Sequence, residues 1–488
     1  MKGNKNSTGH QAGMGRGRVL LLLVFMAYLG MALYQTFKPL PEGIDVASPL
    51  RPAQEVAFLG DTTYLDKWGK RQLDHVIFDE ILRLIGQANR LVVLDMFLFN
   101  DFSGAATGDF RPLSAELTRA LTQRKDQMPG LEVVLITDPL NTVYGGLEPD
   151  HLKALRAAGI KIVMTDLTEL RASNPAWSGF WYWCCSWLGN NNRDGWLPNP
   201  LGEGEVTLRS YLQLLNFNAN HRKTLVVDSG ESWVGLVTSA NPHDASSAHD
   251  NVALRFQGPA AIDLLATERA VAAMSGSRID FGTPVIEEPV EGDGSRLQIL
   301  TESRIGNALR IAIDSAEPGD RIDIAVFYFS HRELLASVVA AHERGVRIRV
   351  LLDPNKDAFG IKKNGIPNRQ AAADLHRAGV PVRWCATMGE QCHAKLFLKR
   401  SLSGDAALIL GSANFTRRNL DNLNLETSVR LKGNAQTPAI IDAASYFARY
   451  WRNSQGRLHS LPYSIYADPS SPRYWLYRLM ESTGLSTF

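Results

Sequence analysis

Cysteine is scarce in this chain: 488 residues hold four, at Cys184, Cys185, Cys385 and Cys392. None is spaced like a zinc ligand set, and so few cannot build a disulfide scaffold. Free buried or interfacial thiols are the expectation, with bridges at the adjacent Cys184 and Cys185 open to an oxidising compartment. An excess of one charge is missing too. Lysine and arginine number 52 against 50 acids, a formal charge of +2, and the body has no long basic run. A dedicated nucleic-acid binder usually shows a basic stripe, so this balance speaks against one. Long apolar runs are also lacking, with a single exception near the N-terminus. What is present is an ordinary globular interior: 45% hydrophobic residues, enough for a real core, in a chain long for one domain and comfortable for two.

The exception is Val19 to Phe37, uncharged until Lys38. At about 1.5 Å per residue it just spans a hydrocarbon core of about 30 Å. Lys2, Lys5, Arg16 and Arg18 make residues 1–18 basic, which predicts that this end stays in the cytoplasm and the body lies on the outer side of the inner membrane. A cleaved signal is the alternative, since Gly30-Met31-Ala32 offers small residues for a peptidase. Either reading exports the body. Residues 38–55 carry Pro39, Pro41, Pro49 and Pro52 and read as an extended spacer.

From Val56 onward helical and strand periodicities alternate, and then they repeat. The strand Leu91 to Phe99 has its counterpart in Ile322 to Phe329. Thr137-Asp138-Pro139 is matched by Leu352-Asp353-Pro354, and Leu155 to Ile160 by Leu375 to Val380. A repeat this long means two copies of one α/β unit. The expected fold is therefore α/β, two pseudo-symmetric halves each with a mixed sheet flanked by helices. The halves fall at 56–282 and 296–455, joined by a linker at 283–295 and followed by a tail at 456–488. The first half alone carries an insert, about 167–217, with Trp177, Phe180 to Cys185, Trp187 and Trp196. Aromatics this dense suit a buried loop core, a pocket lid, or a surface in the headgroup layer.

Both halves reach the same motif. His221-Arg222-Lys223 is followed by Ser239-Ala240-Asn241, and His393-Ala394-Lys395 by Gly411-Ser412-Ala413-Asn414. Each His-x-Lys begins a strand, so period two puts His and Lys on one face. These residue types suit displacement at a phosphodiester. Lysines neutralise the phosphate, and asparagine and serine donate to its oxygens. One histidine attacks phosphorus while the other protonates the leaving oxygen and later activates water or an alcohol. One copy would not suffice. His243 and His249 read as pocket rim or plain surface, and Asp138 and Asp353 as turn formers at strand ends.

The doubled motif resembles that of the phospholipase D superfamily, whose members carry two copies of H-x-K-x4-D with a downstream G-S-x-N. The likeness covers about 56–451. His221, Lys223 and Asp228 fit the first copy, although Thr238-Ser239 stands where Gly-Ser is usual. In the second copy Arg400 occupies the aspartate position, and Asp405, five residues on, is expected to restore it through a longer hairpin. Glu426 stands where the family often has an acid that orients the histidine, and Asn251 at the corresponding place in the first half. The resemblance implies catalytic roles for His221, Lys223, Asn241, His393, Lys395 and Asn414, with support from Asp228, Ser239, Asn251, Ser412, Glu426 and Asp405. It assigns His221 as nucleophile and His393 as general acid and base, a choice on which the residues themselves are nearly symmetric. It also implies neither metal nor cofactor, since the lysines take the place of a cation. With an exported, anchored body and an aromatic insert, the expected substrate is a phospholipid. The implied activity is that of phospholipase D-like phosphatidyltransferases such as bacterial cardiolipin synthases. The expected partner is the membrane, not nucleic acid. An exported nuclease of the same superfamily and a non-catalytic membrane scaffold are the alternatives.

Overall fold

The computed structural model describes residues 16–102, 104, 110–282, 294–358, 360–486 and 488. The basic residues Lys2 and Lys5, and 283–293 of the expected linker, lie outside them.

The first half holds a seven-stranded sheet. Its strands are β1 (Gln54–Gly60), β2 (Leu91–Met96), β3 (Glu132–Thr137), β4 (Lys161–Met164), β5 (Lys223–Ser229), β6 (Ser232–Thr238) and β7 (Val252–Gln257), in the spatial order β1-β7-β6-β5-β2-β3-β4. The second half supplies β8 (Arg296–Thr301), β9 (Arg321–Val326), β10 (Arg347–Leu352), β11 (Val382–Cys385), β12 (Lys395–Arg400), β13 (Asp405–Gly411), β14 (Thr427–Asn434) and β15 (Ser460–Pro462). Its order, β8-β14-β13-β12-β9-β10-β11, repeats that of the first half strand for strand. Arg51–Pro52 beside β8 and β15 beside β11 extend this sheet to nine strands. In both sheets the strand after the His-x-Lys turn is antiparallel to its neighbours, while β2-β3-β4 and β9-β10-β11 run parallel. The periodicity read from the sequence thus became a mixed α/β fold with an internal repeat.

The helices are α1 (Arg16–Phe37), α2 (Ile77–Gln87), α3 (Leu113–Gln127), α4 (Asp150–Ala157), α5 (Pro175–Cys184), α6 (Leu208–Leu214), α7 (Pro259–Met274), α8 (Ser303–Asp314), α9 (Arg332–Glu343), α10 (Asn368–Arg377), α11 (Arg417–Leu420), α12 (Pro438–Arg452) and α13 (Ser471–Thr483). Helices α2, α3 and α4 cover the outer face of the first sheet, with Ile81, Leu117 and Leu155 in its core. Helices α8, α9 and α10 cover the outer face of the second with Leu309, Val338 and Leu375. Between the sheets, α7 and α12 share one apolar core to which both contribute, from Val226 and Leu254 to Leu396 and Leu431. The layers therefore run helix, sheet, helix, sheet, helix. Burying both faces of each sheet explains why their central strands read as continuous apolar runs.

Helix α1 is long and apolar enough to cross a membrane and is mostly exposed. One flank packs on α5 of the aromatic insert. The Tyr28 hydroxyl donates to the Ala176 carbonyl at 3.0 Å, and a Cβ on Gly179 would stand 2.6 Å from that of Ala32. Only glycine allows that approach. The insert divides its aromatics: Trp181 is buried, while Phe180, Trp183, Trp187 and Trp196 face outward. Helix α13 of the tail divides likewise, with Tyr477 buried and Trp475 and Leu479 exposed.

The expectation of free thiols is corrected. Cys184 bonds Cys185, and Cys385 at the end of β11 bonds Cys392, the residue before His393. Cys385 and Cys392 lie far apart in neither sequence nor space because β11 and the His393 segment flank one loop.

Candidate active site

Each His-x-Lys lies where its segment enters the central strand of its sheet. The Phe97 N–H donates to the Arg222 carbonyl and the Phe327 N–H to the Ala394 carbonyl, so each segment is pinned to the end of its antiparallel neighbour, β2 or β9. Asp138 and Asp353, read as turn formers, fasten the residue before each histidine. Asp138 accepts from the Asn220 N–H at 2.7 Å and Asp353 from the Cys392 N–H at 2.9 Å. Burial raises the pKa of Asp138 to about 7 and that of Asp353 to about 6, against these hydrogen bonds.

The two halves then zip together by backbone. The His221 N–H donates to the Leu425 carbonyl, and the Leu425 N–H to Ala219; the His393 N–H donates to Asp250, and the Asp250 N–H to Gln391. The residue after each partner is Glu426 or Asn251, so the orienting groups are exchanged between halves. His221 Nδ1 lies 2.9 Å from Glu426 Oε1, and His393 Nδ1 lies 3.1 Å from Asn251 Oδ1. Each partner is held by the serine of its own half: Ser412 Oγ donates to Glu426, and Ser239 Oγ to Asn251 at 2.9 Å. Glu426 also receives the Asn419 side-chain amide. Glu426, an acid of the second half, thus meets the histidine of the first, His221. With each Nδ1–H donating, both Nε2 atoms are left as acceptors for the cavity.

That cavity, about 430 Å³, is lined by His221, His393, Asn241 and Asn414 together. Lys223 Nζ and Lys395 Nζ donate to the carbonyls of their own histidines at 2.6 and 2.7 Å. Phe97 packs edge-on against His221 and Phe327 tilts against His393, with ring centroids 4.8 and 5.2 Å apart, and each lysine lies over the same ring. Sequence reasoning passed over these phenylalanines. Their signal was their equivalent place just past the repeated strands. His249 also lines the cavity, 5.9 Å from His393, and His243 is buried, so neither is plain surface.

Burial dominates the electrostatics. It pushes the His221 pKa down to about 4, opposed by Glu426, and that of His393 well down, with Lys395 adding to the effect. Lys223 falls to about 7 through burial, and Lys395 falls well below the usual amine range through burial and the neighbouring Lys223. Glu426 stays below the ordinary carboxylate value although burial opposes it, because His221 and Lys223 favour its charge. Burial thus favours the neutral form of both histidines and weakens the charge of both lysines. A phosphodiester entering at pH 8 is expected to restore the ammonium of Lys223, so binding takes up protons and weakens as pH rises above about 7. Calorimetry of a phosphodiester inhibitor in buffers of different ionisation heat would report that uptake.

The motif aspartates diverge. Asp228 accepts from the Asn89, Arg90 and Leu91 N–H groups, anchoring the start of β2 to the β5–β6 hairpin. Asp405 does not restore this role. It is exposed at the start of β13, where it accepts from Ser403 Oγ. Arg400, standing in the aspartate position, instead donates to Asp323 of β9 at 3.0 Å, and Asp320 caps the hairpin through the Leu402 N–H. The acid has moved to the facing strand. Gly411 has a steric reason, since a Cβ there would stand 2.3 Å from the Thr427 carbonyl.

Residues 309–451 match the family described as "Cardiolipin synthase, PLD-like domain". The fold is similar to that of phosphatidylserine synthase from Haemophilus influenzae Rd KW20, over 93% of this chain and 96% of that one, with a TM-score of 0.55 and 11% identity. At that identity the likeness shows the fold alone. A phospholipase D family member, Nuc from Salmonella typhimurium, matches over 34% of this chain and 97% of that one, at 20% identity and a TM-score of 0.26, too low to carry an argument. No curated protein matches the chain.

Proposed function

We propose that this chain is a membrane-anchored phosphatidyltransferase of the phospholipase D type, similar to cardiolipin synthases and working through a phosphohistidine. The observation that carries the reading is the exchange of orienting groups around one cavity: a carboxylate behind His221 and a neutral amide behind His393. His221 Nε2 attacks phosphorus, and the bond to the headgroup oxygen breaks. The phosphoimidazole so formed is cationic at the ring, and Glu426 stabilises it through Nδ1–H. His393, protonated at Nε2 once the phosphate anion is bound, gives that proton to the leaving alkoxide and, with no carboxylate partner, is left neutral. An acceptor hydroxyl then returns a proton to His393 and attacks phosphorus, breaking the P–N bond. Lys223 and Lys395 neutralise the phosphate oxygens throughout, and Asn241 and Asn414 donate hydrogen bonds to them.

The lipid side of the proposal rests on the packing of α1. The helix is fitted to α5 through Gly179, and Trp183, Trp187 and Trp475 are exposed on elements joined to it, since Gly484 at the end of α13 abuts Ser173 and Asn174 before α5. Aromatic side chains of this kind favour the headgroup layer. A retained anchor explains the fit of α5 better than a cleaved signal, which would leave that face bare. The deciding experiment incubates the full chain in mixed micelles with phosphatidylglycerol, phosphatidylcholine and single-stranded DNA. Cardiolipin formation or headgroup release that depends on both histidines is the expected result. Cleavage of DNA alone would sink the lipid reading.

A further inference from the structure

Two cations in the cavity wall have no part in the chemistry above. Arg418 on α11 is only 8% exposed and lines the cavity with His221 and His393. It lies over Phe217, 5.3 Å from the ring centroid, and donates one N–H to the Ser486 carbonyl, while its Nε has no partner. Lys363 lines the same cavity, and its ammonium donates to the Tyr328 hydroxyl at 2.7 Å. Among the described residues neither cation has a carboxylate within 4.0 Å, and Asp353 and Asp357 act on Lys363 only from longer range. Burial lowers the Arg418 pKa to about 10, with Glu481 too distant to offset it fully. An unpaired buried guanidinium is costly, and such a cost is met where a ligand supplies the anion. Arg418 also adjoins Asn419, which holds Glu426, so this wall stands one residue from the groups that orient the nucleophile.

We propose that Arg418 and Lys363 form a second anion subsite, which binds a phosphate group carried by the acceptor rather than the phosphate being transferred. The inference rests on the transferase reading and adds to it the residues that would hold the acceptor's own phosphate. Its hydroxyl loses a proton to His393 and forms the new P–O bond as the P–N bond to His221 breaks, while its own phosphate stays on Arg418 and Lys363. The phosphate could be that of a lipid headgroup or of a soluble ester.

The test compares phosphatidylglycerol, glycerol 3-phosphate and glycerol as acceptors, with labelled phosphatidylglycerol as donor. Combining Arg418→Gln with Lys363→Gln is expected to raise KM for the phosphate-bearing acceptor by at least about tenfold, as loss of charge-assisted hydrogen bonds does, and KM for glycerol by less than about twofold. Arg418→Lys should recover much of the loss. A response confined to phosphatidylglycerol identifies the lipid source, and one confined to glycerol 3-phosphate the soluble source. Equal effects on glycerol, or none on either phosphate acceptor, overturn the subsite. Calorimetry with glycerol 3-phosphate gives a second readout that needs no turnover: two equivalents bind the unaltered chain and one binds the double variant. A single equivalent in the unaltered chain, or two in the double variant, rejects the subsite. Two equivalents without lipid turnover count against the transferase reading alone.

Discussion

Alanine at His221 or at His393 is expected to lower phosphatidyl transfer by at least about 10⁴-fold, the first by removing the nucleophile and the second by removing the acid for the leaving alkoxide. The two variants separate when the donor carries p-nitrophenol in place of an alcohol headgroup, because that leaving group needs no proton. His393→Ala then forms the phosphoenzyme and stalls, since nothing activates the acceptor. His221→Ala forms none. Acid-labile label trapped on the His393 variant and absent from the His221 variant is the predicted pattern; the reverse would exchange the two roles. The exchange of partners sharpens the forecast. Glu426→Gln belongs to the second half by sequence but touches His221. It should slow phosphoenzyme formation by about 10²-fold, the usual scale for a group that tunes a catalytic histidine. The discharge step governed by His393 should suffer less.

The second large effect concerns stability. Arg222, between His221 and Lys223, is fully buried. It reaches Glu302 of the second half at 2.9 Å and Glu268 of α7 at 3.6 Å, with Asp95 adding its charge nearby. Removing one member of such a cluster leaves charges buried without partners, so Arg222→Met should cost about 3–5 kcal/mol. Thermal unfolding of the full chain in detergent measures this. The pH dependence is also fixed. Burial already raises Glu302 from 4.5 to about 7, with Arg222 opposing. A carboxyl whose pKa stands above its unfolded value takes up a proton on folding, so stability falls as pH rises from about 4.5 towards the folded value. Without Arg222 the folded value climbs further. The deficit of the variant should therefore be smaller at pH 5 than at pH 8. Glu302 also accepts the Glu426 N–H at 2.9 Å, so the same variant should loosen His221.

Much of this was legible in the chain. The repeat, the strands, the two His-x-Lys segments and Ser239, Asn241, Ser412 and Asn414 follow from periodicity and spacing, because each lies within one α/β unit. What spacing could not reveal was contact between units. The pairing of Glu426 with His221 depends on Leu425 hydrogen bonding beside His221, a contact made only when the two sheets pack. The position of Asp405 failed for a different reason. Counting along one strand overlooks that an acid on the facing strand, Asp323 or Asp320, can meet the same backbone or an arginine. The cysteine pair Cys385 and Cys392 is likewise joined by a loop whose path no composition reveals.

The exchange of Glu426 and Asn251 has a consequence for how activity is acquired. Within one polypeptide it reproduces the reciprocal contact of a two-fold dimer, where each member completes the other. Neither half can orient its own histidine, however well it has folded. During refolding, helix and strand signals should return while catalysis is still absent, and turnover should appear in step with docking of the halves. The site is thus a reporter of assembly: a working molecule is one in which both copies have already found each other.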